Sequence, residues 1–303
     1  MKQPVRGRKA ILLSWLFLGS LQLAWGQNAM PLSVSQVQVI GHAGSGFFTP
    51  INPFNSSPPS SWRGIVRALQ RGADGVEIDV QLSQDSIPLL YHNPNLSSMT
   101  SAATGCISTT PAAAVLALRY RGGWPYDWLQ RERPQRLDTV LARLARRPVF
   151  PILHLDLHES DDCTPYGDGT RSRTLARALR ALLSHYAIPP QRLLILTNQP
   201  ATLRYLRQLL PGVPLGLEVT ENVDAGLEQA QELGVEAVVL AKRVVTPDRS
   251  AAVHRAGRLL VIFGGRSPQA IRRLLGCLPD ALEVDNVRQL LRLRRQALRQ
   301  LER

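Results

Sequence analysis

Lysine, cysteine and aromatic residues are scarce in this chain. Its 303 residues include three lysines and three cysteines, and only 6% are aromatic. No cysteines show the Cys-x-x-Cys spacing typical of zinc sites. No Gly-x-Gly-x-x-Gly opens a helix, as it would in a dinucleotide-binding sheet, and Arg-rich helical stretches such as Arg272-Arg273 and Arg292-Leu-Arg294-Arg295 contain no stacking aromatics. These absences argue against a zinc module, a doubly wound nucleotide-binding fold and a nucleic-acid partner.

Positive charge is abundant, and nearly all of it is arginine. The 36 Lys and Arg residues against 23 Asp and Glu give a net charge of +13, and 44% of the residues are hydrophobic. A chain this apolar buries a core and is not disordered. A basic surface weakly favours anionic small-molecule or lipid-derived substrates and peripheral contact with a membrane surface. The oligomeric state stays open.

The amino-terminal segment has the order of a secretory signal peptide. Four basic residues precede an apolar run over 10–24, which ends in Ala24-Trp25-Gly26. The run is shorter than the roughly 20 apolar residues of a membrane span, although an uncleaved anchor is the alternative. We predict a signal peptide over 1–26, a linker over 27–36, a single domain over 37–303, and a secreted or periplasmic protein.

The three cysteines allow at most one internal disulfide. Cys106 and Cys163 lie in polar stretches typical of loops, whereas Cys277 lies in an apolar pattern. We predict a Cys106–Cys163 bridge and a buried Cys277. Three unpaired thiols are the alternative.

Short aliphatic runs alternate with longer amphipathic segments along the whole domain. This alternation is typical of repeated βα units around a parallel sheet. Eight strands in about 270 residues fit the size of a (β/α)8 TIM barrel. The predicted strands are 37–42, 75–82, 149–157, 192–197, 214–219, 237–241, 258–263 and 281–285, and the predicted helices are 61–71, 135–147, 172–186, 200–210, 223–233, 247–256, 268–276 and 286–302.

The segment 87–92 departs from this alternation. Only four residues separate it from the second strand, too few for a parallel crossover, so it should form an antiparallel hairpin strand. Two long irregular stretches, 47–61 and 93–134, follow barrel-strand regions on the side where barrel enzymes hold their sites. We predict that both act as lids rather than disordered loops.

Strand parity predicts which polar side chains point into the barrel. Glu77 and Asp79 share one face of the second strand, and His154, Asp156 and His158 share one face of the third barrel strand. Three inward carboxylates need a partner, and a divalent cation is the usual one. We predict that Glu77, Asp79 and Asp156 bind a metal. The alternative is an internal salt-bridge or hydrogen-bond network with Arg or His. The pattern is as consistent with His154 and His158 bonding to Asp156 or to neighbouring backbone as with a role in the site.

Two further histidines end strands beside these carboxylates. His42 ends the first strand and His92 ends the hairpin strand. Hydrolysis of a phosphodiester needs a base for the attacking hydroxyl and an acid for the leaving alkoxide. The pair therefore predicts acid/base catalysis.

These residues together resemble a known family. Gly41-His42, the stretch Gly72-Ala-Asp-Gly-Val-Glu-Ile-Asp-Val-Gln-Leu-Ser-Gln-Asp85 and Pro88-Leu-Leu-Tyr-His-Asn93 are similar to motifs of the glycerophosphodiester phosphodiesterases. The resemblance implies a barrel, a Ca²⁺ or Mg²⁺ ion, and hydrolysis of glycerophosphodiesters to glycerol 3-phosphate and an alcohol. It assigns His42 and His92 to the acid/base pair, and Glu77, Asp79 and Asp156 to the metal.

The chain departs from the family pattern at three positions. The family's Arg after the first His is Ala43, its Glu-Asn-Thr falls on Pro59-Ser60-Ser61, and its third-strand Lys is His158. We predict that His158 and Lys242 take over phosphate binding. A barrel that binds phosphate or a lipid head group without turnover is the main alternative. A glycoside hydrolase is weaker, because Glu77 and Asp79 lie too close together to flank a glycosidic bond.

Overall fold

A computed structural model describes residues 34–301, and within them ten strands and ten α-helices. The strands are β1 (Gln38–Gly41), β2 (Gly75–Leu82), β3 (Pro88–Leu90), β4 (Gln135–Arg136), β5 (Ile152–Leu157), β6 (Leu193–Thr197), β7 (Leu215–Val219), β8 (Ala237–Ala241), β9 (Leu259–Phe263) and β10 (Ala281–Val284). The helices are α1 (Trp62–Gln70), α2 (Ala112–Ala117), α3 (Tyr126–Leu129), α4 (Leu137–Ala145), α5 (Thr170–His185), α6 (Pro200–Leu209), α7 (Val223–Leu233), α8 (Pro247–Arg255), α9 (Pro268–Leu275) and α10 (Val287–Leu301).

Eight parallel strands form a closed barrel. β1 pairs in parallel with both β10 and β2, so the ring β1-β2-β5-β6-β7-β8-β9-β10 has no free edge. These are the eight predicted strands, and an α-helix lies near each predicted helical segment. The (β/α)8 prediction is confirmed.

The hairpin strand is also confirmed. β3 pairs antiparallel with β2, with Val80 opposite Leu90. The short β4 extends this edge by pairing antiparallel with β3. The insertion 93–134 is more ordered than the sequence suggested: it contains α2, α3 and a 3-10 turn at Ile107–Thr109. Its buried side chains pack as a separate small cluster around Tyr91, Tyr120 and Val115.

Two apolar layers hold the barrel together. The larger lies between the strands and the surrounding helices. The smaller fills the barrel interior with Ile40, Ile152, Leu194, Leu196, Ala237, Val239, Val261 and Ala281. Toward the carboxyl ends of the strands, inward positions carry polar residues instead. The apolar layers therefore provide a rigid base on which the polar end of the barrel is positioned.

A disulfide joins the insertion to the loop that follows β5. Cys106 and Cys163 are bonded, with 5.9 Å between their Cα atoms, and Cys277 is a free, buried thiol. Both cysteine predictions are confirmed. The predicted signal peptide over 1–26 and most of the linker lie outside the described residues. Within residues 34–301, no helix is both long and apolar enough to cross a membrane.

Candidate active site

The carboxyl ends of the barrel strands surround a cavity of about 230 Å³. Six of the seven residues that the sequence singled out as site residues line it: His42, Glu77, Asp79, His92, Asp156 and His158. Lys242 does not. It is exposed at the end of β8, where its side-chain stem covers Gly264.

Three of these residues form a carboxylate cluster. The side chains of Glu77, Asp79 and Asp156 each offer an oxygen, and these oxygens lie within 4.8 Å of one another. Asp79 and Asp156 are directly opposite in the β2–β5 register. Glu77 Oε2 accepts a 2.6 Å hydrogen bond from the Ala43 N–H, while its buried Oε1 has no hydrogen-bond partner. A buried carboxylate oxygen without a partner is costly, so this cluster fits a divalent cation.

The cavity as a whole carries an excess of acidic groups. Among the described residues that line it are six carboxylates and three histidines, with neither lysine nor arginine. Burial, followed by the charges of Asp79, Glu283 and Asp156, raises the pKa of Glu77 well above its usual value. Burial and the charge of Asp156 raise the pKa of Glu218 to about 8. A bound divalent cation would reverse this mutual repulsion, which is a second reason why the residues fit a metal.

Asp79 is the most heavily bonded carboxylate in the cavity. Its Oδ2 accepts a 2.7 Å bond from the Ser60 hydroxyl, and its Oδ1 lies 3.1 Å from His158 Nε2. Burial by itself raises the pKa of Asp79, but the charge of His92 and the bond and charge of His158 together lower it. Asp79 also belongs to a second ligand set, with His92 and His158. It is therefore the residue that links the carboxylates to the histidines.

His42 is held by an acidic partner. Its Nδ1 lies 2.8 Å from Asp285 Oδ1. Burial lowers the pKa of His42, but the bond and charge of Asp285, helped by Glu283 and Asp79, outweigh burial and raise the pKa to about 9. The bond fixes the imidazole orientation, as such partners do in catalytic sites. The Asp285 pair thus favours the protonated form of His42.

His92 faces His42 across an aromatic ring. The ring centroid of Phe47 lies 4.8 Å from that of His92 and 5.2 Å from that of His42. His92 Nδ1 lies 2.8 Å from Asn93 Oδ1, which accepts only a proton-bearing nitrogen. This contact orients the His92 ring and directs Nδ1 toward Asn93.

His158 lies among the carboxylates, whereas His154 lies below them. His158 Nε2 is 3.4 Å from Asp156 Oδ2 as well as close to Asp79. His154 is buried, and its Nδ1 lies 2.6 Å from Glu283 Oε1. His154 therefore belongs to an internal hydrogen-bond network, which was the alternative left open for it, although its partner is Glu283 rather than Asp156.

Three side chains of the site were not predicted from the sequence, although each lies at a position that the sequence marks. Ser60, at the position of the family's Asn, contacts Asp79 and has a left-handed backbone with φ +52°. Asp285 follows the last barrel strand and pairs with His42. Glu218 lies inside a predicted barrel strand, where an acidic residue is unusual, and lines the cavity.

The pKa of His42 provides a test of the Asp285 pair. In the metal-free protein, NMR titration of the His42 imidazole should give a midpoint near 9, and Asp285→Asn should lower it. Because the folded-state value exceeds the ordinary 6.5, protonated His42 stabilises the fold fully below pH 6.5, and this contribution is lost as pH rises through about 9. Asp224→Asn, at an exposed acid in the first turn of α7, is the control. An unchanged midpoint in Asp285→Asn would show that the pair does not set the pKa.

Comparison with known proteins agrees with this geometry. The model of the glycerophosphoryl diester phosphodiesterase family matches residues 61–289. The "Probable glycerophosphodiester phosphodiesterase 1" of Mycobacterium tuberculosis is 30% identical over 202 residues, 62% of this chain and 71% of that protein.

Solved structures share the fold. One from Silicibacter pomeroyi superimposes with a TM-score of 0.73 at 21% identity, covering 86% of this chain and 93% of that chain. An Oleispira antarctica phosphodiesterase, solved with its product sn-glycerol-3-phosphate, has a TM-score of 0.70 at 23% identity and covers 86% and 96%. The barrel, its polar cavity and the family match over most of the chain lead to one conclusion: this chain belongs to the glycerophosphoryl diester phosphodiesterase family and is a phosphoric diester hydrolase.

Proposed function

We propose that the protein hydrolyses glycerophosphodiesters to glycerol 3-phosphate and an alcohol, with Ca²⁺ or Mg²⁺ as cofactor. One observation carries the proposal. A carboxylate cluster with an unpartnered oxygen on Glu77 shares a cavity with two histidines whose ring nitrogens are oriented by Asp285 and Asn93. The Oleispira antarctica relative with bound sn-glycerol-3-phosphate supports the same class of substrate.

Glu77, Asp79 and Asp156 would hold the cation. When bound, it supplies positive charge that neutralises phosphoryl oxygens and the charge that develops on them. Carboxylate oxygens are the ligands that Ca²⁺ and Mg²⁺ prefer. The imidazoles of His92 and His158 border this cluster, and neither ion needs them.

The two histidines divide the proton transfers between them. His42 Nδ1 is paired with Asp285 Oδ1 at 2.8 Å, which favours the protonated imidazole, so His42 supplies the proton that the leaving alkoxide needs. His92 has its Nδ1 directed at Asn93, which leaves Nε2 free to accept the proton of the attacking hydroxyl. If water attacks, its proton passes to His92 while the P–O bond to the alcohol breaks and His42 protonates the leaving alkoxide. If a glycerol hydroxyl attacks, the same transfers give a cyclic phosphate, which a second step with water opens to glycerol 3-phosphate.

Phosphate binding cannot use the family's arginine, because Ala43 takes its place and is fully buried. His158 is a substitute within the cavity lining, beside Asp79 and Asp156. Lys242 stands farther away, outside the cavity lining. Burial raises the pKa of Asp285, but the bond and charge of His42, followed by the charges of Arg266 and then Lys242, lower it. We therefore assign phosphate contact to His158 and a secondary electrostatic role to Lys242.

A substrate panel tests the proposal. Purified protein is assayed on glycerophosphodiesters, on other phosphodiesters and on glycosides, with EDTA and then with added Ca²⁺ or Mg²⁺. We expect turnover of glycerophosphodiesters only, abolished by EDTA and restored by one of the ions. Tight binding of the diester without turnover would establish a binding module instead. Cleavage of a glycoside would replace the phosphodiesterase assignment.

We also propose that the protein is exported. The order of charged, apolar and small residues before Gln27 supports a cleaved signal peptide, and a disulfide is typical of proteins in oxidising compartments. Cleavage after Gly26 removes four positive charges, so the mature net charge is 13 − 4 = +9. Intact-mass analysis of the exported protein should give a chain beginning at Gln27, and a mass that includes Met1 would contradict cleavage.

A further inference from the structure

Exposed apolar side chains concentrate at the mouth of the barrel. Eight large apolar side chains are exposed among the described residues. Five of them belong to the two loops that follow β1 and β3, and we call these five the aromatic rim: Ile51 (70% exposed), Phe54 (40%), Trp124 (77%), Trp128 (74%) and Leu129 (48%). Val149, by contrast, precedes β5 at the opposite end of the barrel. Single exposed apolar residues need no explanation, but a group with two tryptophans does.

The two loops form one preassembled surface. The ring centroid of Tyr126 lies 4.7 Å from that of Phe48 and 6.4 Å from that of Phe54, to which it is parallel. A Cβ on Gly122 would lie 3.0 Å from the Phe48 ring, so the loops touch there. Arg63 Nη1 donates a 3.0 Å bond to the Leu129 carbonyl. Tyr126, which is two residues from each tryptophan, is thus buried between the loops, while Trp124 and Trp128 are exposed.

This surface is continuous with the active site. Phe47, next to Phe48 in the chain, lies between His42 and His92. The rim thus stands beside the entrance through which a phosphodiester must reach the two histidines. Whatever the rim contacts lies close to the mouth of the cavity.

The rim carries positive charge. The segments 47–63 and 119–133 contain five arginines, Arg63, Arg119, Arg121, Arg131 and Arg133, and two acids, Asp127 and Glu132, so their sum is 5 − 2 = +3. Both acids are engaged, since Asp127 Oδ1 accepts the Gly122 N–H and Glu132 Oε2 accepts the Arg63 N–H. A second copy of the chain that docked through the same surface would bring like charges together. An anionic surface is complementary to it.

We propose that the aromatic rim docks the protein onto an anionic phospholipid bilayer, with Trp124 and Trp128 at the head-group level and the arginines on lipid phosphates. Tryptophan is enriched at this depth, and arginine keeps its charge in the head-group region while its stem lies on apolar groups. Binding of this kind grows with buried apolar area and with the attraction between basic residues and anionic lipids. The orientation of the cavity mouth toward the bilayer rests on the proposed function, whereas the docking does not.

Vesicle binding tests the proposal without any turnover. The mature protein is sedimented with phosphatidylcholine vesicles and with mixed phosphatidylcholine–phosphatidylglycerol vesicles at low and high salt. We expect binding to the mixed vesicles, weakened by salt, and quenching of tryptophan emission by brominated lipid. The double variant Trp124→Ser/Trp128→Ser should bind at least about tenfold more weakly. Val149→Ser, which removes an exposed apolar residue from the opposite end of the barrel, should bind like the unsubstituted protein.

Three results would overturn the proposal. One is no vesicle binding, another is equal binding by the double variant, and the third is a dimer of the unsubstituted protein that binds no vesicles and dissociates on the double substitution. The last result would identify a second copy as the occupant of the rim. Because no substrate is present, failure to dock and failure to hydrolyse diesters are observed separately.

Discussion

His42→Ala and His92→Ala are each expected to lower kcat for glycerophosphodiester hydrolysis by about 10²- to 10⁴-fold, the usual range for the loss of a positioned acid or base. The expectation rests on geometry. Both rings line the cavity that holds the carboxylate cluster, and each has its Nδ1 within 2.8 Å of an oxygen that orients it. Steady-state kinetics with saturating cation measures the effect.

The two variants should differ in their dependence on the leaving group. If His42 is the acid, an activated ester with a good leaving group should restore much of the activity of His42→Ala and little of that of His92→Ala. His185→Ala, at an exposed histidine at the end of α5, is the matched control and should be unaffected. Full activity of both cavity variants would remove the acid/base assignment and favour a binding module.

Asp79→Asn is expected to weaken cation binding by about 100-fold or more and to lower activity with it. Losing even an outer-shell partner of a metal ligand typically costs about 10- to 100-fold, and Asp79 is assigned to the inner shell. The amide keeps the shape of the carboxylate, so the bond to the Ser60 hydroxyl can be retained while the charge is lost. Calorimetric titration with Ca²⁺ and Mg²⁺ measures affinity directly.

Two comparisons make the Asp79 result specific. Asp248→Asn, at an exposed acid in the first turn of α8, should leave cation affinity unchanged. Circular dichroism and thermal unfolding of Asp79→Asn show whether the barrel is intact. An intact Asp79→Asn variant with unchanged affinity for both ions would place the cation elsewhere.

The fold was predictable because its signals are local. Each barrel strand is a short aliphatic run, and each helix that follows has its own apolar face. The four-residue connector after β2 determined the hairpin, since no parallel crossover is that short. Strand parity alone placed Glu77, Asp79, Asp156 and His158 at one cavity. The polar settings of Cys106 and Cys163 were enough to predict their bridge.

The parts that escaped prediction depend on contacts between distant segments. Residues 42 and 285 are paired across 243 positions, and no periodicity links them. Ser60 contacts Asp79 from a left-handed backbone conformation, and the Pro-Ser-rich sequence of its loop does not predict that conformation. Lys242 was placed at the right end of a strand, but the direction of its side chain is set by packing over Gly264. Strand parity places Lys242 at the carboxyl end of a strand, but it does not determine where a side chain points once the strand has ended.

The most direct test of the central claim is ³¹P NMR of sn-glycero-3-phosphocholine incubated with the purified mature protein. The diester resonance should convert to that of glycerol 3-phosphate when Ca²⁺ or Mg²⁺ is present, and should persist with EDTA and with the His42→Ala/His92→Ala double variant. Conversion that proceeds equally with EDTA, or in the double variant, would contradict an enzyme in which Glu77, Asp79 and Asp156 would hold a catalytic cation and His42 and His92 transfer protons.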